Sequence, residues 1–242
     1  MTTVNDNNLL LSNDLSEVKF PTSGKSMLLN CDLKNLDINV CSRCIYDERV
    51  DGIYFDNEGV CNYCYQTDRL KEKYETGSEE GEARLHNIFS EMKAAGKGKR
   101  YDCVIGVSGG TDSSYMVYLA KKWKLRPLAV HYDNTWNSSI ATMNISKVLS
   151  ALNVDLYTHV INNEEADDIF RALFFAGVAE IDSPTDLAAP EVTYRAAWKH
   201  GVRYVLEGHS FVTEGITPVG RNYFDGKYIE SIHKMYGDHC ME

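Results

Sequence analysis

Seven residues, SGGTDSS at positions 108–114, constrain this chain more than any other stretch, because they join the apolar run CVIGV to a helical pattern over 112–124. Two adjacent glycines exceed what a helix cap requires. Gly109 and Gly110 remove side chains so that consecutive backbone N–H groups can approach an anion closely. Ser113 and Ser114 add hydroxyl donors at the N-terminus of the next helix. Such a turn suits a phosphate group. A Walker A loop is excluded, since the G-x-x-x-x-G-K-[ST] pattern does not occur and the turn carries no lysine.

The turn opens a longer alternation. From Tyr101 onward, short apolar runs (CVIGV, PLAVHY, VDLYTHVI, RYVLEG) alternate with helical patterns over 112–124, 138–152, 164–178 and PEVTYRAAWKHG. Val- and Ile-rich runs separated by helices of this length predict right-handed crossovers and an α/β fold, a doubly wound parallel sheet buried on both faces. Ligands then belong at the carboxyl ends of the strands. Those ends carry Gly106, Val107 and Ser108 to Ser114 after the first strand, His131 and Asp133 after the second, and Gly208 and His209 after the fourth. KYIES, at 227–231, is a candidate edge strand.

Upstream lies a different kind of segment. Cys41 and Cys44 are followed, after sixteen residues, by Cys61 and Cys64. The spacing C-x2-C-x15–20-C-x2-C lets four thiolates converge on one tetrahedral ion, and structural zinc is the expected occupant. With four cysteine ligands no coordination position stays open for catalysis, so the metal would brace the module. An iron–sulfur cluster, which also takes four thiolates, and a redox pair are the rivals. GIYF and DNEG predict a hairpin strand and its turn between the pairs. Cys31, Cys103 and Cys240 are unrelated to the module, and Cys103 reads as a small core hydrophobe in the first strand.

These features divide the chain into a polar arm (1–38), expected to be poorly ordered and rich in Asn, Asp and Ser; a four-cysteine zinc knuckle (39–66); a helical linker (67–100) broken by TGSEEG; and the nucleotide-binding domain (101–242). The formal net charge of −10 repels polyanions and gives no electrostatic footprint for nucleic acid. The first twenty residues have no basic flank and only a three-Leu run, so no membrane association is expected and the cytoplasm is the expected location.

SGGTDS resembles the pyrophosphate-loop signature SGGxDS of the adenine nucleotide alpha-hydrolase-like ATP pyrophosphatases. The resemblance implies cleavage of ATP between the α and β phosphates, with AMP and pyrophosphate as products. It carries Ser108, Gly109, Gly110, Asp112 and Ser113 over as pyrophosphate-binding positions, with Asp112 the candidate for organising Mg2+, a hard cation that takes oxygen ligands. Gly106, Val107, His131 and Asp133 fall where such folds receive adenosine. Asp133 reads equally as an Asx-turn residue and His131 as a strand-end packing residue.

A longer series is more specific: CSRCIYD, FDNEGVCNYC, YDCVIGVSGGTDSSY, LRPLAVHYDNTWN and TDLAAPEVTYRAAWKHGVRYVLEGHSFVTEGITP occur in this order. The series is similar to the N-acetyl sugar amidotransferases of surface-polysaccharide (lipopolysaccharide, O-antigen) assembly, from about Cys41 to Tyr236. That resemblance implies an ATP-dependent, AMP-forming carbon–nitrogen ligase. Its substrate would be a nucleotide-linked acetamido sugar, whose acetamido group becomes an acetamidino group through an imidate–AMP intermediate. Ammonia would come from a separate glutaminase and synthase-like pair. Members of that family continue beyond the IHKMYGDHCME seen here, so a shortened nucleotide-binding domain is expected.

On this reading Ser108, Asp112, His209 and Glu214 are the catalytic candidates. Asn134, Trp136, Asn137 and Thr213 are candidates to meet the acceptor, and Arg195 and Arg221 to pair with an anion. Packing remains open for Trp136, turn or surface roles for His209 and Glu214, and plain solvation for both arginines. Two other functions use the same motifs: a tRNA-thiolating enzyme, disfavoured by the negative charge and by the lack of a further C-x-x-C pair, and a non-catalytic ATP-binding assembly subunit.

Overall fold

The computed structural model describes residues 38–212 and 224–238. The arm at 1–37 therefore lies outside the described residues, as do Cys31, Thr213, Glu214, Arg221 and Cys240.

Among the described residues four parallel strands form the centre: β1 (Cys103–Gly106), β2 (Pro127–Asp133), β3 (Asp155–Val160) and β4 (Val205–Leu206), in the order β3-β2-β1-β4. Seven helices among the described residues accompany them: α1 (Asn62–Lys73), α2 (Glu79–Ala95), α3 (Thr111–Lys122), α4 (Ser139–Leu152), α5 (Asn163–Ala176), α6 (Ser183–Lys199) and α7 (Gly226–Tyr236). The chain steps outward from β1 to β2 to β3, then returns to place β4 on the other side of β1. This reversal opens a crevice at the carboxyl end of β1, where an open α/β sheet binds its ligand.

Strand alternation sorts the core into two layers. Cys103, Ile105 and Ala129 point to one face and pack with Val117 and Ala120 of α3, Ile145 and Leu149 of α4, and Phe89 and Met92 of α2. Val104, Leu128 and Val130 point to the other and pack with Val192, Ala196 and Ala197 of α6. The sheet is thus covered on both faces, the condition under which β1 and most of β2 read as continuous apolar runs. Phe89 stacks on Trp123 at 4.0 Å, worth about 0.5–1.5 kcal/mol beyond the area it buries.

A polar clamp fixes the base of β1. Asp102, 3% exposed, accepts from the Arg126 backbone N–H at 2.8 Å and from its guanidinium at 2.5 and 3.1 Å. The same guanidinium donates to the carbonyls of Gly96 and Lys99 at 2.8 and 2.6 Å, tying the end of α2 to the sheet. Only glycine fits at 96, since a Cβ there would stand 2.1 Å from Asp102 Oδ1.

Three elements differ from the sequence-based expectation. KYIES is not an edge strand but part of α7: Asp225 caps it by accepting from Tyr228 N–H at 2.8 Å. Ile229, Ile232 and His233 are buried with helical spacing, and the two isoleucines pack with Ala172 and Leu173 of α5. Helix α6 begins at Ser183 instead of Pro190, because Pro184 takes the favoured place in the first turn and Pro190 is tolerated inside. The knuckle's hairpin is reduced to single antiparallel bridges, Val40 with Asp47 and Phe55 with Cys61.

Candidate nucleotide-binding site and cysteine centre

The phosphate-binding turn is shaped by a close approach. Gly109 has φ +79°, and a Cβ there would lie 2.2 Å from the Ala141 carbonyl oxygen, so both backbone conformation and the adjacent α4 demand glycine. Asn144 of α4 donates to the Gly109 carbonyl at 3.3 Å and holds the turn against that helix. Gly110 is the N-cap of α3 and offers no capping side chain, which leaves the first N–H groups of α3 for a ligand. The hydroxyls of Ser108 and Ser113 lie 3.4 Å apart, and Ser113 Oγ accepts from Ser108 N–H at 3.3 Å. These long contacts are easily exchanged for contacts to phosphate oxygens. Ser114 Oγ, by contrast, donates to the Gly110 carbonyl at 2.7 Å and serves the helix.

Beside the turn is a cavity of about 720 Å³, bounded by the carboxyl ends of β1, β2 and β4 and by one side of α6. Its volume lies in the range of small-molecule and cofactor sites. Of the residues singled out from sequence, Gly106, Val107, Ser108, Asp112, Ser113, His131, Gly208 and His209 line it, together with Asn134 and Asn137. Gly208 sits over the start of α3: a Cβ there would be 3.6 Å from Asp112 Cβ, in ordinary contact. Gly109, Gly110 and Ser114 are not among the lining residues.

Other candidates are placed elsewhere. Asp133 forms an Asx turn, accepting from Thr135 N–H at 2.9 Å and from Asn137 Nδ2 at 3.4 Å. Trp136 stacks on Phe170 of α5 at 4.6 Å and does not line the cavity. Arg195 donates to Glu191 at 2.6 Å across one turn of α6, on the exposed surface.

Sequence reasoning assigned nothing to the α6 wall. Thr185, Asp186, Ala189, Pro190 and Thr193 all line the cavity, and Glu207 joins them from the end of β4. Thr193 Oγ1 lies 3.7 Å from where a Gly106 Cβ would be, so α6 closes over β1 at that glycine. The available signal was TDLAAP, a run of small residues with a proline inside a helix.

The cysteine module is separate in construction. The Sγ atoms of Cys41, Cys44, Cys61 and Cys64 all lie within 4.8 Å of one another. Three of the pairs measure 3.7–3.8 Å: Cys41 with Cys64, Cys44 with Cys61, and Cys61 with Cys64. Four sulfurs bonded at about 2.3 Å to one tetrahedral ion are separated by about 3.8 Å. The spacing therefore fits a single ion such as zinc, whereas a cluster core would hold the cysteines further apart. Cys61 opens α1 as its N-cap, which turns Cys64 back toward the first pair.

Local chemistry supports ligation. Burial opposes ionisation of Cys41, but N–H groups of Arg43, Cys61 and Cys44 outweigh it and bring the thiol down to about 6. The first two lie 3.4 and 3.2 Å from its sulfur. Burial, with a further contribution from the crowded thiol neighbours, pushes Cys64 up. Four thiolates this close need a cation among them. Cys103, by contrast, is a core residue whose thiol is pushed up to about 12 by burial and then by the Asp102 charge.

Comparison with known proteins adds a limited frame. No family model matches the chain. An uncharacterized protein of Methanocaldococcus jannaschii is 29% identical over 171 residues, covering 70% of this chain. The chain spans 58% of the length of that relative. Among solved structures, the NMN synthetase of Francisella tularensis overlaps 64% of this chain and 68% of its own, with TM-score 0.41 and 18% identity. The NAD+ synthetase of Burkholderia pseudomallei overlaps 72% of this chain and 84% of its own, with TM-score 0.36 and 18% identity. Overlaps of this extent do not assign an activity. No helix among the described residues is long and apolar enough to cross a membrane.

Proposed function

We propose that this chain is an ATP-dependent, AMP-forming carbon–nitrogen ligase that converts an acetamido group of a nucleotide-linked sugar into an acetamidino group. The observation that carries the reading is the placement of Ser108, Asp112 and Ser113 on one side of a roughly 720 Å³ cavity at the carboxyl end of β1. A triphosphate can lie on the N–H groups of the turn with its α phosphorus facing the chamber.

In the reaction, the acetamido oxygen attacks the α phosphorus and the bond to the β phosphate breaks, releasing pyrophosphate. Ammonia then adds to the activated carbon, and the carbon–oxygen bond breaks to release AMP. An amide oxygen is a poor leaving group until it is adenylylated. The turn holds the pyrophosphate, and the hydroxyls of Ser108 and Ser113 donate to its oxygens. Asp112, at the cavity wall, would hold Mg2+, which supplies charge neutralisation at the phosphates. His209 and the β4 end flank the acceptor, and Glu214 is proposed to act with them. The rest of the rate gain comes from positioning two reactants in one chamber.

The four-cysteine centre would hold Zn2+ as a brace and take no part in the chemistry. A separate glutaminase and synthase-like pair is proposed as the ammonia source, and a role in lipopolysaccharide O-antigen assembly and a cytoplasmic location complete the reading. So does the division into knuckle, helical linker and nucleotide-binding domain. AMP release from MgATP and ammonium, measured across a panel of nucleotide-linked acetamido sugars, tests it. AMP with one sugar, and a product one mass unit lighter as oxygen is replaced by NH, supports the reading. ADP with phosphate, or AMP only with a tRNA acceptor and a sulfur donor, overturns it.

A further inference from the structure

The α6 wall of the cavity carries a chemical bias that phosphate binding does not explain. Every Asp, Glu, Lys or Arg among the described lining residues is acidic: Asp112, Asp186 and Glu207. Polar atoms without a partner among the described residues belong to the same lining. His131 Nδ1 lies 2.9 Å from the Val107 carbonyl oxygen, and a ring nitrogen facing a carbonyl carries hydrogen. In the neutral ring Nε2 is then an acceptor, and this atom is buried without a hydrogen-bond partner among the described residues, in a side chain that lines the cavity. His131 as a whole is 5% exposed.

The first turns of α6 add to this. Thr185 Oγ1 is also buried without a partner among the described residues. Pro190 has no N–H, so the helical bond from residue 190 to the Asp186 carbonyl cannot form. Burial, then the charges of Asp182 and Glu180, push the Asp186 carboxyl up. Burial and then Asp182 likewise push up the Tyr132 phenol, placing the start of α6 against the end of β2.

We infer that this wall, built from His131, Thr185 and Asp186, is a subsite for a small N–H-bearing cation, the ammonium ion that supplies the nitrogen. Ammonium has four donors and one positive charge, which answers a set of unpaired acceptors beside a carboxylate. A metal cation would take the same lone pairs by coordination, and the sodium arm of the test separates it from ammonium. The subsite shares its chamber with Ser108 and Asp112, so nitrogen and activated carbon meet in one cavity. The inference rests on the amidating reading above: ammonium waits in the subsite, gives one proton to the Asp186 carboxylate, and the ammonia so formed adds to the activated carbon.

The test uses 15N-ammonium chloride with the whole chain, at fixed ionic strength set by sodium chloride, and reads broadening of the ammonium signal by NMR. Asp186→Asn and Thr185→Val are compared with wild type after their melting in sodium chloride shows that they are folded. Broadening by wild type, reduced at least fivefold in Asp186→Asn and restored by no sodium or tetramethylammonium salt, supports the subsite. Equal broadening by Asp186→Asn, or equal displacement by tetramethylammonium, which has no N–H, overturns it. In turnover assays the subsite predicts an ammonium KM raised about tenfold in Asp186→Asn. An unchanged KM sinks the subsite and leaves the ligase reading standing. Ammonium binding without AMP formation on any acceptor sinks the donor role and that reading together.

Discussion

The cysteine module and the cavity solve opposite problems. In the module four cysteine sulfurs from within 24 residues of sequence lie within 4.8 Å of one another and would together fill the four ligand positions of a single ion. In the cavity, residues from β1, β2, α3, α6 and β4 meet, and among the described residues His131 Nε2 and Thr185 Oγ1 have no hydrogen-bond partner. A closed site stabilises, and an open one is available for chemistry. Changes in the first should therefore be read in folding, and changes in the second in turnover.

The largest expected effect is on the module. Structural zinc in small modules carries an apparent binding free energy of about 10–16 kcal/mol at neutral pH. Cys61→Ser removes a ligand that is also the N-cap of α1. It is expected to take metal content from near stoichiometric to near zero and to make the segment around 39–73 protease-sensitive. Metal analysis with limited proteolysis checks both. Retained metal would break the comparison, since the centre would then not be a four-ligand site.

Next is Gly109→Ala, which sets a Cβ against the Ala141 carbonyl at a positive φ. A loss on the order of 2–4 kcal/mol is expected, with nucleotide binding abolished, and urea denaturation with a fluorescent nucleotide reads both. Asp102→Ala should cost a similar amount, about 3 kcal/mol, because the Arg126 clamp loses its buried partner. It should leave the cavity's affinity for nucleotide unchanged once folded, and lost affinity in a folded variant would show that the clamp also shapes the site.

Asp112→Ala separates the regions most sharply. AMP formation is expected to fall at least 10²-fold while the melting temperature moves by no more than a few degrees. The smallest effect is expected at Trp136→Ala, which removes a stacking partner of Phe170 and costs about 1 kcal/mol with nucleotide affinity kept.

How much of this was legible in the sequence follows the same division. Contiguous signals were readable: the cysteine spacing, the glycine pair, and the apolar runs of β1 and β2. They encode local geometry, which the structure places as a four-cysteine cluster and a parallel sheet. The α6 wall was not readable, because Thr185 and Asp186 become cavity residues only when α6 crosses back over β1 and β2. Proline suggested a helix start at 190, yet Pro184 already held that role. KYIES has strand-like composition, but packing against α5 imposes a helix on it. The Asp102–Arg126 clamp joins residues 24 apart through one carboxylate and left no pattern to find.

The most direct test of the central claim follows one oxygen atom. A nucleotide-linked sugar carrying 18O in its acetamido group is incubated with the chain, MgATP and ammonium, and the AMP is examined by mass spectrometry. Attack by that oxygen on the α phosphorus, followed by its departure with AMP, predicts one 18O in the phosphate of AMP for every acetamidino group formed. AMP that forms with its phosphate unlabelled would contradict the account, because the acetamido oxygen would then never have been adenylylated.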